Sequence, residues 1–436
     1  MNQIQIENFG PVNYAEIDLD KNIQVYIGTQ ASGKSTICKA IYFCRKIRDY
    51  TLEFLLDSVQ FSENHKNEYF NNYCKFLTRQ FMGCFGKTRH MQKFFIVYRK
   101  NEREITIRLN SDGYVRFGFD PELKNGIQKL IADAAGMFSE RSHKKFDNII
   151  DNITALGLMR KQFQEMLRLL FLDESDVIYI PAGRSLLAIM SEQLQDFSIS
   201  DMDLTMQEFI KLIRITKKKF GTKIPEMITD YTKTVKGQIN NTSVDYAYCL
   251  IKKILRADYT SESDGEKIYF DERHWVKLMY GSSGQQEVLW ILMLLFVAIL
   301  EKKKSFIIVE EPEAHLFPIA QKEVISLISL MVNTTQSNVI ITTHSPYILT
   351  SMNLLLYSDK VEKSQRSAEK VIIAKNLRIS YETTAAYRLS DFSDGRNQLE
   401  NILDNESHLI DTDYIDEVSS ITNEELELLI SKELGE

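Results

Sequence analysis

The sequence predicts an α/β fold with an antiparallel β lobe and an inserted helical arm. Three observations predict it. An apolar, strand-like run from Ile23 to Ile27 leads into a glycine-rich loop, which is followed by apolar residues at helical spacing. Residues 93–119 alternate with period two, as antiparallel strands do. Residues 121–173 and 186–257 carry helical periodicity with few breakers.

The composition is that of an ordinary globular protein, with 44% hydrophobic and 26% charged residues in 436. We expect a cytoplasmic protein with no membrane segment, because no signal peptide and no run of eighteen apolar residues is evident. Charge is unevenly distributed around the formal net value of -7. Residues 206–255 have ten basic and four acidic residues, whereas residues 391–436 have fourteen acidic and two basic ones.

The glycine-rich loop matches the phosphate-binding pattern GxxxxGK[ST] at every fixed position. Two glycines let the backbone amides point at phosphate oxygens, a lysine adds positive charge, and a hydroxyl can ligate Mg²⁺. The strand before the loop and the helix after it argue against a chance glycine-rich turn. We therefore predict that ATP binds through Gly28, Thr29, Gln30, Ala31, Ser32, Gly33, Lys34, Ser35 and Thr36, with Mg²⁺ on Ser35.

Residues 306–311, FIIVEE, form an apolar run that ends in two carboxylates. Such a strand end can hold Glu310 near a metal ion, as in a Walker B site. Glu311 can then act on a water molecule in line with the γ-phosphate, as a general base or by orienting it. The alternative is a solvated strand end before the turn at Pro312. The upstream phosphate loop favours Glu310 as a metal ligand and Glu311 as a catalytic residue.

A turn of small residues, YGSSGQQ from Tyr280 to Gln286, precedes an apolar helix. Free amides and a hydroxyl at a helix N-terminus form an anion site. Such turns are also common linkers, and the position upstream of Glu310 is what makes this one informative. We predict that four of its residues contact ATP: Ser282, Ser283, Gly284 and Gln285.

His344 follows a second apolar run, residues 339–343. A lone histidine is more often structural. However, the end of a strand is the usual ligand edge of an open α/β sheet. We therefore predict a catalytic contact between His344 and the γ-phosphate or the attacking water.

In chain order, ENFG, GxxxxGKST, a degenerate LSGGQ, EEPEAHLFP and TTHSP resemble the ABC-type ATPases of the SMC and RecF group. The resemblance is closest to the OLD-like ATPases of bacterial anti-phage systems, such as PARIS- or Septu-like ATPase subunits. It covers residues 1–182 loosely and 280–352 strongly. It implies an ABC-type P-loop ATPase head that hydrolyses ATP to ADP and phosphate.

In that family two heads sandwich two ATP molecules, so the resemblance implies at least a head-to-head homodimer. The turn from Tyr280 to Gln286, which corresponds to the LSGGQ signature, is called the signature turn. In the family the signature turn of one head faces the phosphate loop of the other, which gives Ser282 and Gly284 a role in trans. Gln80 is the candidate for the Q-loop glutamine and a further metal ligand. Glu313 and His315 are candidate dimer contacts. Arg184 could sense nucleotide, bind a partner or be an ordinary surface residue.

Three positions depart from the family pattern. Glu310 stands where many members have aspartate, and the glutamate still provides a carboxylate. Gly281 stands where leucine is usual, and Phe317 where related proteins often have histidine.

We expect four segments along the chain. Residues 1–120 are the N-terminal half of the ATPase head with the phosphate loop and β lobe, and residues 121–275 are the helical arm with a strand near 177–184. Residues 276–390 are the C-terminal half of the head. Residues 391–436 are an acidic tail with a helix, for which Thr422 and Glu425 form a capping box.

Several functions are compatible with these motifs. The first is an ATPase switch that pairs on ATP and signals to a separate effector protein, such as a nuclease. The alternative is a RecF-like DNA-repair or DNA-tethering ATPase whose basic segment, Lys211 to Lys253, lies on phosphates. A third is a nucleotide-binding scaffold without turnover. We expect no nuclease activity in this chain, because the one DxD after His344, at Asp411 and Asp413, lies in a generally acidic tail.

Overall fold

The computed structural model describes residues 2–57, 61, 68–91, 93–143, 149–190, 202–234, 241–363, 373–390, 397–412 and 424. The strands are β1 (Asn2–Phe9), β2 (Val12–Asp18), β3 (Ile23–Gly28), β4 (Phe95–Lys100), β5 (Arg103–Leu109), β6 (Val115–Phe119), β7 (Asp176–Ile180), β8 (Asp258–Glu262), β9 (Gly265–Tyr269), β10 (Trp275–Lys277), β11 (Ser305–Glu310), β12 (Asn338–Thr343), β13 (Thr384–Leu389) and β14 (Leu399–Asn401). The α-helices are α1 (Lys34–Leu56), α2 (Tyr69–Phe85), α3 (Pro121–His143), α4 (Ile149–Phe171), α5 (Ser185–Met190), α6 (Leu204–Thr216), α7 (Ile224–Thr234), α8 (Asn241–Leu255), α9 (Ser283–Glu301), α10 (Pro318–Thr335) and α11 (Pro346–Lys363).

The largest sheet has six strands in the order β14-β13-β3-β12-β11-β7. All neighbours are parallel except β14, which is antiparallel to β13. Every residue of β3 and β11 is buried, which explains why both read as continuous apolar runs: a parallel strand is covered on both faces. β11, α10 and β12 form the predicted strand–helix–strand unit. The predicted α/β fold class is confirmed.

The β lobe is a five-stranded antiparallel sheet in the order β2-β1-β4-β5-β6. The period-two pattern of residues 93–119 correctly predicts β4, β5 and β6. β1 and β2 also belong to this sheet, and in the chain they directly precede β3 and the phosphate loop. Their inward side chains and α1 share one hydrophobic cluster, which includes Ile4, Ile6, Val12 and Ile41.

The helices predicted as an arm pack on the head. α3 and α4 contact α1, and α8 contacts α9 and α10. Buried residues from these helices join the two hydrophobic clusters, for example Ile127 and Phe163 in one and Phe209 and Leu250 in the other. β7, the predicted strand between the helices, is the edge strand of the parallel sheet, paired with β11. The division of the chain into four segments stays a prediction.

Two parts of the chain differ from the sequence-based expectation. Residues 258–277 form a three-stranded antiparallel sheet, β10-β9-β8, that the sequence analysis did not predict. The first part of the acidic tail belongs to the head, because β14 pairs with β13 and the backbone amide of Gln398 donates to Tyr14. Thr422, Glu425 and Asp413 lie outside the described residues.

Among the described residues, one helix is long and apolar enough to cross a membrane, namely α9. In its most apolar window 78% of the helix is buried inside the protein. It packs against α8 and α10. These contacts are those of a core helix.

Candidate nucleotide site

The parallel sheet brings the predicted site residues to one edge. Thr343 is in register with Ile27, and Glu310 is in register with Thr342. The carboxyl ends of β3, β11 and β12 therefore lie side by side. In open α/β sheets this edge is where ligands bind. The phosphate loop, the two carboxylates after Val309 and His344 all leave the sheet there.

The phosphate loop depends on its two fixed glycines for steric reasons. Gly33, immediately before α1, has a φ of 103°, and a Cβ there would lie 2.8 Å from Cγ2 of Val12. A Cβ on Gly28 would lie 3.0 Å from the carbonyl oxygen of Leu389. Only glycine meets both the backbone and the space requirement at Gly33. Of the other predicted ATP contacts in this loop, the exposed residues are Thr29, Gln30, Ala31 and Ser35, Thr36 is half-buried, and Ser32 is buried.

Lys34 is held at the loop by its own backbone. Its ammonium group donates to the carbonyl oxygens of Gly28 and Thr29, each at 2.8 Å, and lies 3.4 Å from the hydroxyl of Ser32. Burial lowers the pKa of Lys34 from its usual value, and the charge of Glu311 opposes that shift. The positive charge is thus placed at the loop that the motif assigns to phosphate.

Glu310 fits a magnesium site. Its Oε2 accepts a hydrogen bond from the amide of Ala182 at 3.3 Å, whereas its buried Oε1 has no hydrogen-bond partner among the described residues. A buried carboxylate oxygen without a partner is costly, and a hard cation such as Mg²⁺ would satisfy it. Glu310 and Ser35 would hold the ion, which when bound would neutralise charge on the phosphates.

Among the described residues no group of three His, Cys, Asp or Glu side chains could hold a metal.

Glu311 and His344 face each other at this edge. Oε1 of Glu311 lies 3.6 Å from Nε2 of His344, and the Glu311 side chain is 42% exposed. Partial burial and the charge of Lys34 lower the pKa of His344, so its imidazole is neutral near pH 7. A half-exposed carboxylate beside a neutral imidazole can accept a proton from, or orient, a water molecule. This geometry fits the predicted catalytic pair.

Glu313 is engaged within its own chain, and the assignment of Glu313 and His315 as dimer contacts stays a prediction. Oε1 of Glu313 accepts hydrogen bonds from the hydroxyl of Thr343 at 2.7 Å and from the amide of His344 at 2.8 Å. Burial raises its pKa, while these two donors lower it. Glu313 therefore fixes the end of β12 from which His344 projects. His315 is exposed and has a φ of 58°.

The signature turn forms the exposed N-terminus of α9. Ser282 is the N-cap, and its hydroxyl accepts from the amide of Gln285 at 3.3 Å in a capping box. Ser282 and Ser283 are exposed. A Cβ on Gly284 would lie 2.7 Å from the carbonyl oxygen of His315, so the helix start packs on the loop after β11. The side chain of Gln285 is engaged within the chain, because its amide nitrogen donates to Leu255 at 2.9 Å.

Gln80 lies within α2. Among the described residues no hydrogen bond joins it to the phosphate loop, and α2 packs against α1, α3, α6 and β6. Its assignment as the Q-loop glutamine and metal ligand stays a prediction.

Arg184 is neither a surface residue nor free to bind a partner, because its side chain is 0% exposed. Its guanidinium donates to the carbonyl oxygens of Pro181 and Glu310 at 2.7 Å and of Glu311 at 2.9 Å. The sequence analysis missed this role. The sequence offered only one signal, an arginine four residues after the apolar strand that ends at Ile180.

Comparison with known proteins identifies the family. The family model described as "AAA ATPase domain" matches residues 1–349, which include the phosphate loop, both carboxylates at the end of β11 and His344. No curated protein matches the chain. Two solved structures are similar at 11% identity. One, titled as the SmcHead bound to the C-winged helix domain of ScpA, has a TM-score of 0.42 with 93% of this chain and 97% of that chain covered. The other, the SMC head domain from Thermotoga maritima, has a TM-score of 0.37 with 92% and 98% covered. Because the family match spans most of the chain and includes every residue of the candidate site, this protein belongs to the AAA ATPase domain family.

Proposed function

We propose that this protein hydrolyses ATP as a head-to-head pair and that pairing switches a separate effector, in anti-phage defence. One observation carries the pairing: Ser282 and Ser283 of the signature turn are exposed, and the turn makes no hydrogen bond, among the described residues, with the phosphate loop of its own chain. In the proposed pair, Lys34, Glu310 and Glu311 come from the sheet edge of one chain. A second copy would add the N-terminus of its α9 at the phosphates through Ser282.

Exposed apolar side chains surround the signature turn and support the same proposal. Tyr280 is 71% exposed and directly precedes the turn, while Phe317 is 73% and Ile319 65% exposed in the segment that follows β11. We call these three residues the apolar rim. The close approach of Gly284 to His315 shows that the two segments are neighbours. Covering the rim with a second head would remove this apolar surface from water.

Two complementary variants test the shared site. Ser282→Arg should abolish turnover and leave ATP binding by the monomer intact, because only the partner's site loses its signature. Lys34→Ala should weaken ATP binding in its own chain. When the two inactive variants are mixed in equal amounts, half of the pairs are mixed and one of their two sites is intact. The mixture should recover about a quarter of wild-type turnover. A mixture as inactive as its components would contradict a site shared in trans.

Hydrolysis itself is tested by Glu311→Gln, which removes the proton acceptor and keeps the shape. If the protein is a hydrolytic switch, turnover should fall by about 10²-fold or more, and ATP-bound pairs should accumulate. A nucleotide-binding scaffold would be unaffected by this change. Size-exclusion chromatography with ATP and Mg²⁺ measures the pairing, and release of phosphate measures the turnover.

The DNA-tethering alternative receives less support from the basic segment. Nine of its ten basic residues are described, and five of these nine form ion pairs within the chain, namely Lys211, Lys219, Lys233, Lys252 and Lys253. DNA binding that weakens steeply with salt, and that is reduced by replacing Lys217, Lys218 and Lys219, would favour this alternative over the effector switch.

The effector is identified by what the ATP-bound pair retains. We expect Glu311→Gln, held in the paired state, to co-purify with the protein encoded beside it, whereas Ser282→Arg should not. A metal-dependent nuclease assay on the chain alone should be negative. Cleavage that is lost on Asp411→Ala would place the effector activity in this chain instead.

A further inference from the structure

Arg184 joins three segments of the candidate site. It follows β7, and its guanidinium donates to the carbonyl of Glu310, the last residue of β11, at 2.7 Å and to that of the next residue, Glu311, at 2.9 Å. The same group donates to the carbonyl of Glu287 on α9 at 2.8 Å. A planar guanidinium with five donors can make these contacts at once, and no other side chain type can.

Glu287 completes this arrangement from the signature helix. Its side chain is 3% exposed, and its Oε2 lies 3.3 Å from Nε of Arg184. The carboxylate also accepts from the backbone amides of Arg184 and Ser185, each at 3.0 Å. The buried charges are therefore paired and hydrogen-bonded on both sides, as a buried ion pair must be to persist.

The backbone that Arg184 holds is in an uncommon conformation. Glu311 has a φ of 44°, in the left-handed region that residues other than glycine rarely adopt. Its amide donates to the carbonyl of Thr342 at 2.9 Å, and its carbonyl accepts from Arg184 and from the amide of Ala314 at 3.1 Å. Both backbone polar groups of this residue are thus fixed, and with them the direction in which its side chain leaves the sheet edge. Such strained residues persist only where their surroundings hold them.

We propose that Arg184, together with Glu287, is a positioning residue for ATP hydrolysis, which sets the place of the Glu311 carboxylate relative to the signature helix. This inference rests on the proposed ATPase function. Arg184 does not reach the nucleotide in this role: its side chain is fully buried, and the hydrogen bonds described for its guanidinium all go to carbonyl groups of the protein. Its effect is therefore on the chemical step and not on ATP affinity. A residue that only stabilised the fold would not separate the two.

Arg184→Lys tests the proposal, because a lysine keeps the charge but cannot hold the carbonyls of Glu310, Glu311 and Glu287 together. ATP affinity, measured with a fluorescent analogue, should stay at the wild-type value. The single-turnover rate at saturating ATP and Mg²⁺ should fall by about 10²-fold, as a small misplacement of a catalytic group does. ATP-bound pairs should accumulate, as in Glu311→Gln.

Arg45→Lys is the matched control. Arg45 is also buried and also pairs with a carboxylate, that of Asp173 at 2.7 Å, but it makes no contact with Glu310 or Glu311 in the hydrogen bonds described. It should lower the melting temperature and leave the single-turnover rate unchanged. If Arg184→Lys loses the same stability as Arg45→Lys and keeps wild-type hydrolysis, the positioning role is refuted.

Glu287→Gln covers the case in which Arg184→Lys does not fold. Glutamine keeps the size and one acceptor of Glu287, so the hydrolysis rate should fall by about tenfold with ATP affinity unchanged. Wild-type hydrolysis in a folded Glu287→Gln protein would also overturn the proposal. Absence of hydrolysis in the wild-type protein would instead refute the ATPase function, independently of Arg184.

Discussion

Replacing Gly33 by alanine tests how the phosphate loop is fitted to the β lobe. Two independent costs arise at this position. The φ of 103° is unfavourable for any residue with a Cβ, and the new Cβ would lie 2.8 Å from Cγ2 of Val12, a buried residue of β2. The first cost belongs to the loop alone, whereas the second exists only because the lobe packs against it.

The magnitudes of these costs can be compared. Backbone strain of this kind costs about 1–3 kcal/mol, and overpacking a buried contact costs about 1–3 kcal/mol. The alanine also reduces the entropy of the unfolded chain, which raises the free energy of unfolding by about 0.4–1 kcal/mol. We expect Gly33→Ala to lower the free energy of unfolding by about 2–4 kcal/mol, and to weaken ATP binding because the loop amides shift.

Urea denaturation followed by circular dichroism measures this loss, with Gly113→Ala as the matched control. Gly113 has a φ of 77° and no atom within 4 Å of the position of a Cβ, so its substitution adds strain without a clash. In addition, Val12→Ala should reduce the cost of Gly33→Ala by about 1–2 kcal/mol in a double-mutant cycle. Equal losses for the two glycines, together with additivity with Val12→Ala, would refute the packing argument.

Two further predictions concern charged groups. Glu310→Gln removes the carboxylate that fits Mg²⁺. The melting temperature of the variant should therefore rise equally with ATP plus EDTA and with ATP plus Mg²⁺, whereas that of the wild-type protein should rise more with ATP plus Mg²⁺. An additional rise with Mg²⁺ in the variant would exclude Glu310 as a ligand. Lys100 lies 2.9 Å from Asp173 beside Arg45, and burial together with Arg45 lowers its pKa to about 8 from 10.5. The folded state therefore disfavours the charge of Lys100, so Lys100→Met should raise the free energy of unfolding at pH 7 by about 1–3 kcal/mol. This gain should shrink between pH 8 and 10.5, where the unfolded chain still binds the proton and the folded chain does not. A variant that is less stable than the wild-type protein across that range in urea titrations would contradict this reasoning.

The elements that the sequence predicted best are those encoded by short local patterns. β3, the phosphate loop and α1 are each predicted by a pattern of consecutive residues. The patterns are an apolar run, a glycine-rich turn and apolar residues at helical spacing. β11 and β12 are predictable for the same reason, because a parallel strand covered on both faces is apolar throughout. Glu310, Glu311 and His344 are then placed by the general rule that ligands bind at the carboxyl ends of such strands.

The roles of Glu313, Gln285 and Arg184 could not be read from the sequence. Glu313 stands in a stretch that resembles a dimer contact, a role that stays a prediction, and its carboxylate accepts from a hydroxyl and an amide at the end of β12. Gln285 belongs to the signature turn, yet its side chain binds the end of α8. In each case the partner is distant in the chain, so no local pattern records it.

By itself, the sequence determined that this protein has a nucleotide-binding α/β head, because glycine spacing and apolar periodicity are properties of neighbouring residues. Only the tertiary structure decided what holds the candidate site at the sheet edge in place. Arg184 and Glu287 are 103 positions apart and form one buried ion pair in the folded chain, and the same arginine donates to the carbonyl of Glu311, 127 positions away. The energetics of that contact depend on complete burial and simultaneous hydrogen bonds, which only the folded chain provides.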